Sequence, residues 1–198
     1  MTTLSIYDES GNHSGKTLTN FDEIKNILSD QGVLFEQWEA SSPLTDSAEQ
    51  EEVLTAYTDS IELLKKEYNI QSVDVVALRP DNPQKTEFRQ KFLAEHIHKD
   101  FEIRFFVDGS GLFYLHVGEK VFLILCEKGD LISVPANTAH WFDMGENPSF
   151  KCIRLFTTED GWLADFTGSD IATRFPDMDS FVANSVKNSE NEQVDTIA

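Results

Sequence analysis

His96-Ile-His98-Lys-Asp-Phe-Glu102-Ile-Arg104-Phe-Phe-Val-Asp108-Gly-Ser-Gly111-Leu-Phe113-Tyr-Leu-His116-Val-Gly118 marks a change of grammar in the chain. From here on, short runs of Phe, Val, Leu and Ile are cut by compact turns: Asp108-Gly-Ser-Gly111, Gly118-Glu-Lys120, Glu127-Lys-Gly-Asp130 and Gly145-Glu-Asn-Pro148. Short strands joined by tight turns imply an antiparallel sandwich or barrel. Phe113, Leu115 and Val117 alternate with Tyr114 and His116, the pattern of one buried and one exposed face. Phe150 to Thr157 reads as a further strand.

Upstream of this stretch the reading is mostly helical. Asn20-Phe-Asp-Glu23 resembles a capping box, and Ile24, Ile27 and Leu28 give one apolar face before Gly32 stops the helix. From Ser47 to Tyr68, the residues Val53, Leu54, Tyr57, Ile61, Leu64 and Tyr68 recur at three- and four-residue steps, which predicts one long amphipathic helix. Ser72 to Leu78 reads as a strand stopped by Pro80, and Gln84 to Glu95 as another helix with Phe88 and Phe92 one turn apart. From Val182 to Ala198 the chain is polar and aperiodic, so a disordered tail is expected.

The 198 residues suffice for one ordinary domain, and the 40% hydrophobic content with 15 Phe can fill its core. Lys+Arg number 16 against 35 Asp+Glu, a formal charge of −19. That balance argues against nucleic acid and against anionic membrane surfaces, which need clustered cations. No apolar run approaches the ~20 residues that span a bilayer. Met1-Thr-Thr-Leu-Ser-Ile has neither the basic start nor the apolar stretch of a secretory signal, so a cytoplasmic protein is expected. Cys126 and Cys152 lie in apolar strand-like runs and read as two reduced, buried thiols rather than a disulfide. With no long exposed apolar helix in view, a monomer is expected.

The chemistry is concentrated in four residues. On a strand, residues two apart share a face, so His96 and His98 can serve one centre. Asp100 has the same parity but sits where the chain turns, so Glu102 is the better carboxylate. His140, at the end of Gly129-Asp-Leu-Ile-Ser-Val-Pro135-Ala-Asn-Thr-Ala-His140, adds a third imidazole from a later hairpin. Three imidazoles and a carboxylate suit a first-row divalent ion such as iron, nickel, manganese or zinc. His13 and His116 have no such company and read as structural.

His96-x-His98-x3-Glu102-x6-Gly109 matches the first cupin motif, and Gly129-x5-Pro135 followed by His140 resembles the second. Asn137 stands where the second motif usually has Gly, and Met144 where it usually has Asn. A narrower likeness runs through Glu102-Ile-Arg104, Pro135-Ala-Asn-Thr-Ala-His140-Trp-Phe-Asp-Met-Gly, Ile153-Arg154-Leu-Phe and Gly161-Trp162-x-Ala-x-Phe-Thr-Gly168. Together with Val75-Val-Ala-Leu-Arg-Pro-Asp-Asn-Pro-Gln-Lys and Lys91-Phe-Leu-x-Glu-His, these blocks resemble the bacterial acireductone dioxygenases of methionine salvage over most of residues 20 to 180. The fold this implies is mainly β with flanking helices, a cupin-type antiparallel β-barrel or jelly roll. One cupin domain is expected over residues 1–181, with a helical part at 20–95 and a barrel core from about 72 to 168, then the tail at 182–198.

The resemblance implies one Fe2+ or Ni2+ held by His96, His98, Glu102 and His140, an ion of octahedral type with two positions left free. It also implies an acireductone substrate, an enediol beside a ketone that binds as a dianion through two oxygens and reacts with O2. In this family the iron form gives formate and the keto acid precursor of methionine. The nickel form gives carbon monoxide, formate and a shortened methylthio acid. A divalent ion, one carboxylate and a dianion sum to a single negative charge, which one guanidinium would cancel in a low-dielectric pocket. Arg104, two residues beyond Glu102 on the same strand face, is the expected catalytic and substrate-charge partner, with Arg154 the second candidate. The thioether tail favours aromatic contacts, which makes Phe92, Phe142 and Trp162 wall candidates. The electrons come from the substrate, so no nicotinamide or flavin is needed. Two rival readings are a sugar-phosphate isomerase of the same fold, which would need a cationic phosphate pocket, and a non-catalytic metal-binding cupin.

Overall fold

The structure, a computed structural model, describes residues 1–185. It opens on a hairpin, β1 (Thr3–Asp8) and β2 (His13–Leu18), followed by α1 (Phe21–Ser29) and the short β3 (Leu34–Gln37). Then come α2 (Gln50–Ala56), α3 (Thr58–Tyr68), β4 (Ser72–Leu78) and α4 (Lys85–Leu93). The rest is strand: β5 (His96–Ile97), β6 (Glu102–Val117), β7 (Lys120–Glu127), β8 (Asp130–Val134), β9 (Ala139–Asp143), β10 (Phe150–Phe156) and β11 (Asp165–Phe166). A 3-10 turn at Ile171–Arg174 leads to a last helix that covers residues 178–185.

Every strand pairing is antiparallel. One sheet runs β11-β5-β9-β6-β7-β1-β2 and the other β3-β8-β6-β10-β4, so β6 belongs to both. This is the expected mainly β, cupin-type architecture. The expected turn at Asp108–Gly111 is instead a bulge inside β6, and the bulge makes the sharing possible. On β10, Lys151 faces Asp108 while its neighbour Cys152 faces Phe106, leaving one residue of β6 unmatched. An extra residue inverts the side-chain parity of everything after it. Arg104 and Phe106 therefore point inward before the bulge, and Phe113 and Leu115 after it. Gly109 takes φ +67° there, and an added Cβ would lie 1.8 Å from the Ser149 carbonyl oxygen.

Both outer sheet faces are covered, which corrects the expectation of an exposed face on β6. Val53, Tyr57, Ile61 and Leu64 lie over Ile103, Phe105, Ile153 and Leu155. On the other side Ile171, Phe175 and Phe181 cover Leu112, Tyr114, Leu123 and Trp141, so Tyr114 is as buried as Phe113. The long helix expected over Ser47–Tyr68 breaks at Tyr57 (φ −117°, ψ 24°), where the Thr58 hydroxyl donates to the Leu54 and Thr55 carbonyls. The break turns the Tyr57 ring edge-on to Phe105 at 5.5 Å.

Two further expectations need correction. The sheets begin at residue 3 rather than near residue 72, because β1 pairs with β7 and β3 with β8. Residues 182–185, expected in the tail, belong to the last helix. Asp177 accepts from the Ser180 N–H at its start, and Met178, Phe181 and Val182 pack on the Trp141 face. The remainder of that tail lies outside the described residues. Asn20 accepts from the Glu23 N–H as its cap reading predicts, and β4 has the expected bounds. Asn137 has φ +62°, the left-handed conformation that asparagine tolerates best after glycine, which explains its place in the second motif. Cys126 and Cys152 are free and buried in the inner core.

Candidate metal centre

His96 and His140 meet because β5 pairs with β9 in that register. His98 follows two residues on and faces the same way. The three rings converge, with centroids 4.5 Å (His96–His140), 5.1 Å (His96–His98) and 5.3 Å (His98–His140) apart. One ligand-capable atom from each lies within 4.8 Å of the others, and all three residues are buried.

Each ring is oriented by the backbone. His96 Nδ1 is 2.8 Å from the Ala94 carbonyl, His98 Nδ1 is 2.9 Å from that of Leu163, and His140 Nδ1 is 2.7 Å from that of Thr138. A carbonyl only accepts, so each Nδ1 carries the proton and each Nε2 keeps a lone pair toward the centre. Burial, with His140 and His98 nearby, pulls His96 down to about 4; burial also lowers His98. Both imidazoles are therefore neutral at neutral pH, the form that could donate a lone pair to a metal.

Glu102 stands beside the three rings rather than inside their group. It is 1% exposed, and neither carboxylate oxygen has a hydrogen-bond partner. Burial pushes its carboxyl up, but Arg104, His140 and Arg154 together hold it well below the usual carboxylate range. Its Oε2 lies 3.7 Å from His140 Nε2, which is also buried and unpartnered. A buried polar atom with no partner costs ~1–3 kcal/mol unless something fills the gap. Here Glu102 Oε2 and the His140 Nε2 lone pair face each other, so the donor set fits a divalent cation.

A cavity of about 660 Å³ opens over this centre, and Phe92, His96, His98, Arg104, Arg154 and Trp162 are in its wall. The two arginines differ. Arg154 is committed to Asp74 through contacts of 2.9 and 2.6 Å, directly opposite it on β4. Arg104 is 3% exposed, and its guanidinium lies over both Phe113 and Phe142, 4.9 and 5.0 Å from ring centroids that are themselves 5.1 Å apart. Its Nε is 3.0 Å from Glu102 Oε1, yet Nε and Nη1 make no hydrogen bond. Glu102 and Arg104 cancel, as do Asp74 and Arg154. A divalent ion would therefore leave a charge of about +2 in the site, matched to a dianion.

One wall expectation is corrected. Phe142 is 1% exposed and packs on Phe113, Phe92 and Phe150, with Arg104 lying over it. It supports the arginine from below and does not line the cavity. Sequence reasoning missed Phe88, Leu163 and Phe166 in the wall. Phe88 was signalled by its one-turn spacing from Phe92; the Leu163 carbonyl, a backbone acceptor, left no signal. Asp100 lies apart from the centre and accepts from Thr157 and Thr158. His116 is likewise elsewhere, 2.8 Å from both Glu9 and Glu95.

The ARD/ARD' family model matches residues 3–164. The acireductone dioxygenase of Methylococcus capsulatus is 54% identical over 182 residues, 92% of this chain and 98% of its own. That of Aquifex aeolicus is 54% identical over 182 residues, 92% and 99% of the two chains. Among solved structures, an acireductone dioxygenase from Bacillus anthracis with a cadmium ion in its active centre superposes with a TM-score of 0.75. It is 28% identical, over 84% of this chain and 98% of that one.

Proposed function

The chain belongs to the ARD/ARD' family and acts as a metal-dependent acireductone dioxygenase of methionine salvage, and from that premise we propose which of its residues do the work. His96, His98, Glu102 and His140 hold one ion, Fe2+ or Ni2+. Arg104 takes the charge of the bound enediolate, and Phe92 and Trp162 face its methylthio tail. The observation that carries this reading is the convergence of the three imidazoles, each Nδ1 on a carbonyl, beside the buried Glu102 carboxylate, whose Oε2 faces His140 Nε2.

When bound, the metal supplies a Lewis-acid template that keeps the enediol ionised. The protein does the rest by position. The Ala94, Leu163 and Thr138 carbonyls stop the rings from turning and fix the proton away from the centre. Phe113 and Phe142 form the seat on which the Arg104 guanidinium lies, which holds it in place for an anionic oxygen. Arg154, neutralised by Asp74, shapes the site without adding net charge.

The substrates are small, an acireductone and O2. No described helix is long and apolar enough to cross a membrane. We place the enzyme in the cytoplasm as a monomer, a reading supported by its two free, buried cysteines and by the covering of both outer sheet faces.

The test is gas and product analysis on protein of known metal content, with metal-free protein as blank. Oxygen uptake with formate and keto acid, and no carbon monoxide, identifies the iron reaction. Carbon monoxide identifies the nickel reaction. Metal in the site with no uptake above the blank sinks the dioxygenase reading.

A further inference from the structure

We propose that Arg89 is a positioning residue that sets the apolar tail subsite by pinning α4 to the barrel; the inference deepens the acireductone reading and rests on it. α4 is the cavity wall that carries Phe88 and Phe92. None of its nine residues is fully buried. A helix this short is unstable alone, and its apolar packing rests on the half-buried Phe92 and Leu93. Phe92 meets the buried Phe142 edge-on at 6.1 Å and Phe88 stacks on Phe92 at 6.3 Å, so one ring rests on the core while both line the cavity.

The close polar attachment is Arg89. Its Nε and Nη2 donate to the two oxygens of Asp143 at 2.7 and 2.9 Å, a bidentate pair. Lys85 adds only a 3.5 Å contact with Asn147. Asp143 is fully buried and stands three residues after His140 on β9. The same carboxylate accepts from the N–H groups of Gly145 at 3.0 Å and Met178 at 2.8 Å, so it is itself fixed. Asp179, Asp177 and Glu146 surround the guanidinium at 3.5, 3.8 and 3.9 Å. Arg89 thus fixes the aromatic wall relative to the strand that carries His140. The ion-binding end of the substrate depends on β5, β6 and β9. The tail depends on α4, and only that half runs through Arg89.

The test compares wild type with Arg89→Lys, which keeps the charge and loses the fork, and with Arg89→Gln, all metal-loaded. Two enediols are used: the methylthioethyl compound, and one with methyl in place of that tail. In Arg89→Lys the expected results are unchanged metal content and a KM raised about ten-fold for the tailed substrate at similar kcat. The tail-less compound should change less than about two-fold. Amide exchange across residues 85–93 should quicken about ten-fold while β9 keeps its protection. Arg89→Gln should show the same split, enlarged. Unchanged exchange in α4, or equal losses for both substrates, overturns the proposal. If wild type consumes no oxygen with either enediol, the dioxygenase reading has failed. The exchange result then still decides whether Arg89 pins the helix.

Discussion

Arg104 is a charge seated on two adjoining rings beside Glu102, with part of its hydrogen-bonding capacity unspent. Buried guanidinium donors left unspent are costly until an acceptor takes them. Arg104→Met should therefore keep its metal but lose about 100- to 1000-fold in kcat/KM. Metal analysis beside steady-state oxygen uptake checks this, and full activity would remove Arg104 from the mechanism. The imidazoles lead to a second expectation. His96 titrates near 6.5 when unfolded and near 4 when folded, so between those values the unfolded chain binds more protons. Its contribution to stability is present above about 6.5 and is lost as pH falls toward 4. Metal-free protein should lose about 2 kcal/mol between pH 7 and pH 5, read as a lower urea midpoint. His98 adds in the same direction. His116 opposes it: burial lowers it, but hydrogen bonds to Glu95 and Glu9 prevail and raise it, so its contribution is lost as pH rises. An unchanged midpoint at pH 5 would show that the rings are not held neutral. The proposed ligands were legible because strand parity alone brings His96 and His98 together. Phe142 was misplaced for the same reason. It shares the parity of His140, and no pattern in the sequence shows that Arg104 lies between it and the cavity.

The strand β6 shows where reading by element runs out. Asp108-Gly-Ser-Gly111 has the composition of a hairpin turn, and a bulge needs the same residues. The two differ only in what lies opposite, and that is set by β10, some forty residues away. The break at Tyr57 was hidden in the same way. The apolar period runs through it unbroken, because both helix pieces must cover the same sheet. The hairpin β1–β2 and the last helix were missed because each has only four apolar residues. Their partners, β7 and the Trp141 face, are distant in sequence. The bulge is open to a direct test. Gly109→Ala would force an L-residue to φ +67° and drive its Cβ into the Ser149 carbonyl. It should cost more than about 1 kcal/mol of stability by denaturant melts. It should also depress activity, since the inward parity of Phe113, and with it the seat of Arg104, is set there. A variant as stable as the parent would mean that the strand crosses between sheets without needing glycine.

At the scale of the whole molecule the charge is what remains to be accounted for. The fold buries apolar side chains on three levels, the inner core and two covered outer faces, and the chain carries 35 carboxylate side chains against 16 Lys and Arg. The formal charge of −19 does no work in the cavity, where Glu102 and Asp74 are each matched by an arginine. Its effect is self-repulsion, which disfavours the compact state and weakens when salt shortens the Debye length from ~30 Å at 0.01 M to ~10 Å at 0.1 M. Salt also weakens ion pairs, so the sign depends on which effect is larger. The pairs Lys65–Glu62 and Arg174–Asp170 are exposed one-turn pairs worth only about 0.3–0.5 kcal/mol each. Around Arg89, four carboxylates share one guanidinium, so screening there relieves more repulsion than it removes attraction. Repulsion therefore outweighs attraction. Raising sodium chloride from about 10 to 200 mM at neutral pH should raise Tm by roughly 2–4 °C, the shift for about 1 kcal/mol in a chain of this size. The metal-loaded protein should be used, so that loss of the ion does not set the transition. A Tm that falls with salt would mean that the ion pairs outweigh the net charge.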